Sequence, residues 1–408
     1  MNIFGNNKMA AKILSTHGVP AELPLTETKK RVRMAISLFY FFQGFCFASW
    51  ASRIPYIKTN LGLTDADMGN MLLALPLGQL ATMPLSGFLV KKYGSKKILI
   101  LGAVLYGIGL SNLGLAPNKY VLAAALFLFG SFGNLANIAV NTQGVNGEKM
   151  YHRSIMASFH GAWSLAGFTG ALVGLIMSNL HIGPYPHFCV VAVMSIVSVV
   201  FNYNFLVEDI APKHTELRTP KKSRFKMPSG VILQLGVIGF FAMACEGAMF
   251  DWSGVYFKEI VHAPEGTETV GYACFMVTMA TGRFVGDRFI TKLGRQKLMQ
   301  ICGILIMSGL LLAVAFPYFY VAALGFTMVG FGVSTNIPNV YSVAGTQKDI
   351  SPSEALTAVS SISFLGFLMG PPLIGYTSSL VNLRFSYTLI AVFGFVITLM
   401  VTKLKVIK

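Results

Sequence analysis

Charge is what this sequence has least of. Charged residues make up 12% of its 408 positions, against 54% hydrophobic, whereas soluble domains carry about 25% charged residues. That shortage, with long uncharged apolar runs, excludes an ordinary soluble domain and indicates a polytopic membrane protein. Acids are the scarcer sign, 16 against 32 Lys plus Arg. The five cysteines, Cys46, Cys189, Cys245, Cys274 and Cys302, all fall in apolar segments without disulfide or zinc spacing, and read as packing. No grouping of His, Cys and acids has metal spacing, so no metal or other cofactor is expected. No run resembles a GxxxxGK[ST] phosphate loop, which argues against ATP drive. No nucleophile–base–orienter set marks an enzyme. The first 30 residues lack the charged start, short apolar core and cleavage site of a secretory signal, and read as a cytoplasmic tail.

What is present is apolar length. Runs able to span a bilayer lie near 33–56, 66–90, 97–116, 120–146, 154–178, 186–207, 230–257, 268–291, 298–316, 319–346, 354–379 and 384–402. This predicts an all-α membrane protein with twelve transmembrane helices, some longer than the roughly 20 residues required. With the N-terminus inside, 27 Lys and Arg fall on the inner side; the outer side holds only Arg53, Lys58, Lys119, Lys258 and Arg384. The asymmetry follows the positive-inside rule and puts both termini in the cytoplasm. It also accounts for the net charge of +16 as a topology signal, not a nucleic-acid surface.

The chain echoes itself. EDIAPKHTELRTPKKSRFKMP, residues 208–228, is the longest polar stretch and separates six spans from six. At an offset of 200, Tyr56-x-Lys58 meets Tyr256-x-Lys258, and Lys92-x-Gly94-x-x-Lys97 meets Lys292-x-Gly294-x-x-Lys297. Leu165 and Gly170 meet Leu365 and Gly370; Asn137-Ile138 meets Asn336-Ile337 with the offset reduced by one. The expected organisation is a tail over 1–30, a six-helix bundle over 31–207, a basic linker over 208–228 and a second bundle over 229–408. Two parallel repeats of this kind bind substrate between them near the midplane.

GFLVKKYGSKK (87–97) resembles the loop signature of the major facilitator superfamily, and GDRFITKLGRQK (286–297) its second-half counterpart. SWASRIP (49–55), NTQG (141–144), HGAWSLAG (160–167), EGAMFDW (246–252) and GPPLIGY (370–376) narrow the resemblance. Together they are similar to the fucose-permease-like sugar:proton symporter branch, in particular its YbjJ-like bacterial members. The resemblance implies a multi-pass, proton-linked carrier of a small polar solute in the bacterial inner membrane. One position departs from the signature: its first-half acid falls on Lys91. In the family that carboxylate helps hold the cytoplasmic side closed, so gating residues here are sought at Lys91, Asp287 and Arg288.

Of the 16 acids, all but Glu246 and Asp251, in ACEGAMFDWSGVY (244–256), fall in tails, loops or helix ends; these two lie within an apolar span. A charge there costs about 2.5–3.5 kcal/mol on insertion scales and marks a functional position by default. Glu246 falls a little outside the midplane and is the better proton carrier, or contacts substrate; the other reading is a protonated structural acid bonded to a neighbouring helix. Asp251 lies nearer the outer interface, where it would add to proton coupling, pair with Arg53 as an outer gate between the first and seventh helices, or sit as a solvated helix end. Trp50 and Trp252 read equally as interfacial aromatics or as platforms for a sugar ring.

Asn137, Asn141 and Gln143 supply amides, with Gln43 and Gln79 on the first two helices. Amides donate and accept, which suits hydroxyl-rich solutes; interhelical bonding is the alternative. His160, three residues before Trp163, would relay protons, bind solute or simply pack. Asn336, Asn339 and Tyr341 surround Pro338, where freed backbone groups can line a cavity. The glycine-rich stretches GFTGALVG and GFLMGPPLIG are expected to bring helices close or bend them. The reading is a monomeric secondary transporter importing a neutral sugar or sugar derivative with protons. A proton-driven exporter is the closest rival, set back because the first six spans hold no acid away from their ends.

Overall fold

The structure, a computed structural model, describes residues 25–151, 155–208, 230–347 and 352–404. Most of the expected tail and linker, 1–24 and 209–229, lies outside the described residues. Every regular element that is described is helical. In chain order these are α1 (Leu25–Asn60), α2 (Asp65–Tyr93), α3 (Ser95–Leu113), α4 (Lys119–Glu148), α5 (Met156–Asn179), α6 (Pro184–Asn202), α7 (Gly230–Glu259), α8 (Val270–Leu293), α9 (Arg295–Ala315), α10 (Phe319–Ser334), α11 (Asn336–Gly345), α12 (Pro352–Leu380) and α13 (Leu383–Lys403). A short 3₁₀ turn, Tyr203–Phe205, follows α6. Helix α1 begins inside the expected tail, so residues 25–30 are part of the first helix.

In hydrocarbon each backbone N–H and C=O must be satisfied within its own segment, which is why apolar runs become unbroken helices. Their ends are set by polar punctuation. Asn118 accepts from the amides of Tyr120 and Val121 at the start of α4, and Asn382 accepts from that of Phe385 at the start of α13. Between α2 and α3 the chain reverses on a single residue, Gly94 (φ 89°, ψ 148°), and between α8 and α9 on Gly294 (φ 79°, ψ 155°). Side chains rarely adopt this conformation, so both positions demand glycine. Their identical geometry, 200 residues apart, carries the sequence repeat into the backbone. The packing repeats too: α3 packs on α4 and α6 as α9 packs on α10 and α13.

Eleven helical segments are long and apolar enough to cross a membrane, Phe319–Gly345 counting as one. The expected twelfth, α8, has 24 residues and is not among these segments; it carries Arg283, Asp287, Arg288 and Lys292, and the side chain of Asp287 lies outside the described residues. The span Phe319–Gly345 is interrupted at Thr335. Pro338 has no amide hydrogen to give the carbonyl four residues back, which interrupts the hydrogen-bond ladder there.

The chain packs as two compact units whose borders cut across the sequence halves. The first contains Met1–Trp50, Ala74–Gly170 and Gly183–Ala211. Its core gathers Val32, Phe39, Leu99, Val140, Phe159 and Val199 from α1, α3, α4, α5 and α6. The second contains Pro212–Lys408 together with Ala51–Leu73 and Ala171–Ile182. The end of α1, the start of α2 and the end of α5 thus pack with the second half of the sequence.

Candidate functional site

In the second unit, α7 is buried at every position from Ala244 to Phe257. A helix apolar on all sides is enclosed by neighbours, here α8, α10, α11, α12 and α13. Glu246 lies about 24 Å from the start of α7 and about 20 Å from its end. Its carboxylate Oε1 accepts a hydrogen bond from Arg283 Nη2 of α8 at 2.9 Å. The acid side chain is 10% exposed and the arginine 29%. Tyr341 of α11 lies within electrostatic reach of the same carboxylate. Glu246 therefore has a counter-charge inside the span, the geometry that makes a buried acid tolerable.

Arg283 was not among the expected site residues. Its signal was a basic residue well inside the apolar run 268–291, masked by the cluster of inner-side basic residues that follows it.

Asp251 is also buried, but among the described residues no hydrogen bond or ion pair is made by its carboxylate. Tyr272 and Tyr387 interact with it electrostatically, and both hydroxyls are buried without a hydrogen-bond partner. The expected Arg53–Asp251 pair is not formed. Arg53 instead donates from Nη2 to the carbonyl of Ile182 and lies 5.4 Å from the ring centroid of Tyr56. Trp50 and Trp252 have no exposed surface, and neither indole N–H has a partner. Full burial rules out the interfacial-anchor reading and leaves no open ring face for stacking in this structure.

A charged hub that the sequence reading used only for topology lies at Lys58. This buried lysine contacts Asp65 Oδ1 at 2.7 Å and Glu259 Oε1. Ser378 Oγ donates to the second oxygen of Asp65, and Tyr376 donates to Asn70 at 2.9 Å. One lysine thus joins the ends of α1, α2 and α7, with α12 attached through Ser378.

Asn336 and Asn339 are buried and spend their amide hydrogens on the carbonyls of Gly332 and Thr335, each at 2.9 Å. These bonds tie both amides to the backbone around the interruption between α10 and α11, and Asn336 Oδ1 is buried without a hydrogen-bond partner.

In the first unit, Tyr40 donates to Asn141 Oδ1 at 2.8 Å. Asn141 in turn donates to the backbone oxygen of Asn137 at 2.8 Å and to its side-chain oxygen at 3.0 Å. The Tyr40 ring meets His160 edge-on, with centroids 5.3 Å apart. Trp163 is half-buried beside Phe47. Asn137, Asn141 and His160 therefore join Tyr40 in one polar group contributed by α1, α4 and α5, with Asn137 and His160 exposed.

Gln143 does not belong to that group. Fully buried, it donates to Ser95 Oγ at 2.8 Å and to the Val207 carbonyl, and accepts from the Val207 amide at 2.9 Å. Its spacing two residues beyond Asn141 turns it about 200° away, into the interior of the unit. Nearby, Lys96 contacts Glu208 at 3.6 Å. Lys91 and Arg288 are exposed, and the side chain of Asp287 lies outside the described residues.

A buried ion pair within a set of membrane-spanning helices, and a backbone duplicated at Gly94 and Gly294, are accompanied by a direct match. The sequence profile of the Major Facilitator Superfamily fits residues 36–348. The chain belongs to that superfamily. An MFS-type transporter of Yersinia pestis, itself uncharacterised, is 30% identical over 88% of this chain and 92% of its own length. Membrane protein MosC of Rhizobium meliloti is 28% identical over 91% and 93%.

Among solved structures, a bacterial homologue of the human lysosomal transporter Spinster superposes with a TM-score of 0.72 at 13% identity, covering 92% of this chain and 96% of its own. The nucleoside transporter NupG gives 0.70 at 12% identity, covering 92% and 100%. At these identities the two structures speak for the fold. This MFS transporter is a multi-pass membrane protein, and its relatives are transporters rather than enzymes.

Proposed function

We propose that this transporter imports a small hydroxyl-rich solute, a sugar or sugar derivative, together with protons across the bacterial inner membrane by alternating access, with both termini cytoplasmic. The observation that carries the reading is the Glu246–Arg283 pair at mid-span. A carboxylate with a fixed cationic partner in low dielectric has two useful states, ionised and paired, or protonated and released. Glu246 is the proton carrier. The solute is contacted by the polar group of Tyr40, Asn137, Asn141 and His160, with Trp163 beside it. Lys58, and not an Arg53–Asp251 pair, acts as the outer latch, because breaking it separates the end of α1 from the ends of α2 and α7 together.

The test is purified protein in liposomes loaded with a pH-sensitive dye, challenged from outside with sugars and sugar derivatives. Solute-dependent acidification of the lumen that disappears in Glu246→Gln is the expected result. Acidification that persists in the variant would remove Glu246 from coupling, and alkalinisation would make the protein an exchanger.

A further inference from the structure

We infer that Asp251 belongs to a sodium-ion site between α7, α8 and α13 of the second unit, completed by the hydroxyl oxygens of Tyr272 and Tyr387. The site goes beyond the proton-coupled reading and does not depend on it, and it holds a metal ion where none was expected from sequence.

Three buried polar groups define it. Asp251 is 8% exposed, Tyr272 1% and Tyr387 not at all. Both hydroxyls interact electrostatically with the Asp251 carboxylate, yet neither has a hydrogen-bond partner. Their rings are held in place. Tyr387 stacks on Phe326 at 5.7 Å and packs on Tyr256 at 4.4 Å, and Tyr272 meets Phe250 edge-on at 6.4 Å. Tyr256 donates its own hydroxyl to the Ala313 carbonyl at 2.9 Å. A tyrosine of this region can therefore find a backbone acceptor, and the two within reach of Asp251 do not. Buried polar groups are as a rule satisfied, so a set of them left open around one carboxylate indicates a guest.

That guest brings positive charge. An ionised carboxylate is tolerated in a buried site when it is paired, and the cations of the neighbouring elements are bound elsewhere. Arg283 of α8 bonds to Glu246. Arg384 of α13 donates from Nε and Nη2 to the Val314 carbonyl. Arg53 donates to the Ile182 carbonyl, and Lys58 pairs with Asp65 and Glu259. Lys258 lies about 10.5 Å further along α7, and no cation among the described residues pairs with Asp251. Helices α10 and α11, and α12 from Ala355 onward, add only the tyrosines Tyr320, Tyr341 and Tyr376.

One carboxylate with two neutral hydroxyls balances a single charge; a divalent ion would keep a net charge in low dielectric. Oxygen donors suit a hard ion, and no group of three or more His, Cys and acids that could hold a softer metal occurs among the described residues. A proton would neutralise the carboxylate but donate to one oxygen only, whereas a small monovalent ion takes lone pairs from all three groups at once. Sodium meets these terms.

The test uses the full chain in detergent, without solute. Sodium chloride is exchanged for N-methyl-D-glucamine chloride at constant ionic strength, and melting temperature and binding of radioactive sodium are read together. The expected result is a saturable rise in melting temperature with sodium and a single bound ion per chain. Asp251→Asn should lose both. The double variant Tyr272→Phe/Tyr387→Phe removes two oxygens and no charge, and serves if Asp251→Asn does not fold. It should bind sodium more weakly, yet melt no earlier than wild type in N-methyl-D-glucamine, because its lost hydroxyls are unpartnered without the ion.

Equal melting in the two salts with no bound sodium overturns the inference and leaves water or a proton in the group. Sodium binding untouched in Asp251→Asn and in the double variant also overturns it, by placing the ion elsewhere. The dye assay reads Glu246 and this one reads Asp251, so failure of either reading is seen separately.

Discussion

Gln143 and Glu246 show how differently two polar side chains can be used inside one membrane protein. Gln143 has both ends of its amide engaged by Ser95 and Val207. Replacing it with alanine strands the Val207 amide and carbonyl in a buried site, which costs about 1–3 kcal/mol. Gln143→Ala is therefore expected to melt earlier in detergent with an unaltered order of solute preference. A change of preference at constant melting temperature would return Gln143 to the binding group. Glu246 and Arg283 predict the opposite pattern. Either single glutamine variant removes one member of the pair and the double variant removes both, so a double-mutant cycle of melting should give coupling on the order of 0.5–3 kcal/mol. Additive losses would mean that the pair contributes nothing to the folded state. Glu246 was legible because an acid in an apolar run is conspicuous. Arg283 was not, since Arg288, Lys292 and Arg295 follow it and a count of charges per loop absorbs it. Which amides join the Tyr40 group and which lock the interior is decided by rotation about the helix, and two residues of sequence separate the two fates in NTQG.

At the level of elements, the glycine-rich GFLMGPPLIG stretch does what its composition suggested. A methyl group at Gly366 would land on the Phe240 carbonyl, so α12 lies backbone-to-backbone on α7. Gly366→Val is expected to force those helices apart and to lower the yield of folded protein in membranes. Monodisperse elution on size-exclusion chromatography with a wild-type profile would refute this. The spans themselves were readable because apolar length is a direct requirement of the bilayer. Two things were not readable at this scale. The interruption at Thr335 was expected to expose backbone groups around Pro338, and Asn336 and Asn339 cover the Gly332 and Thr335 carbonyls instead. Helix α8 was expected to count as a plain apolar span, but Arg283 within it is matched by Glu246 of α7, a pairing between helices that a count of apolar residues does not register.

For the molecule as a whole, the number of spans decides where the ends lie. Twelve crossings return the C-terminus to the side of the N-terminus; eleven do not. A fluorescent protein fused after Lys408 should glow in the cytoplasm, and an alkaline phosphatase fused there should be inactive. The reverse would mean that α8 does not cross. Lys58 makes a second prediction at this scale. Lys58→Ala leaves Asp65 and Glu259 facing each other without their cation, so hydrogen exchange should rise in the start of α2 and the end of α7, and transport should fall. Unchanged exchange would show the hub to be dispensable. The borders of the compact units were invisible to the sequence, because pattern and offset divide the chain at the linker, whereas packing also answers to charges such as Lys58 that meet partners from distant segments.

Those partners have a consequence for biosynthesis. Lys58 waits 201 residues for Glu259, and Asp65 waits 313 for Ser378. A ribosome delivering this chain into the membrane inserts Lys58 and Asp65, which pair with each other at 2.7 Å, long before Glu259 or Ser378 can join them. The Lys58 cluster is thus completed only when α12 has emerged. A nascent chain stopped short of Ser378 carries an unfinished ionic cluster, a feature by which quality control can tell a truncated product from a whole one.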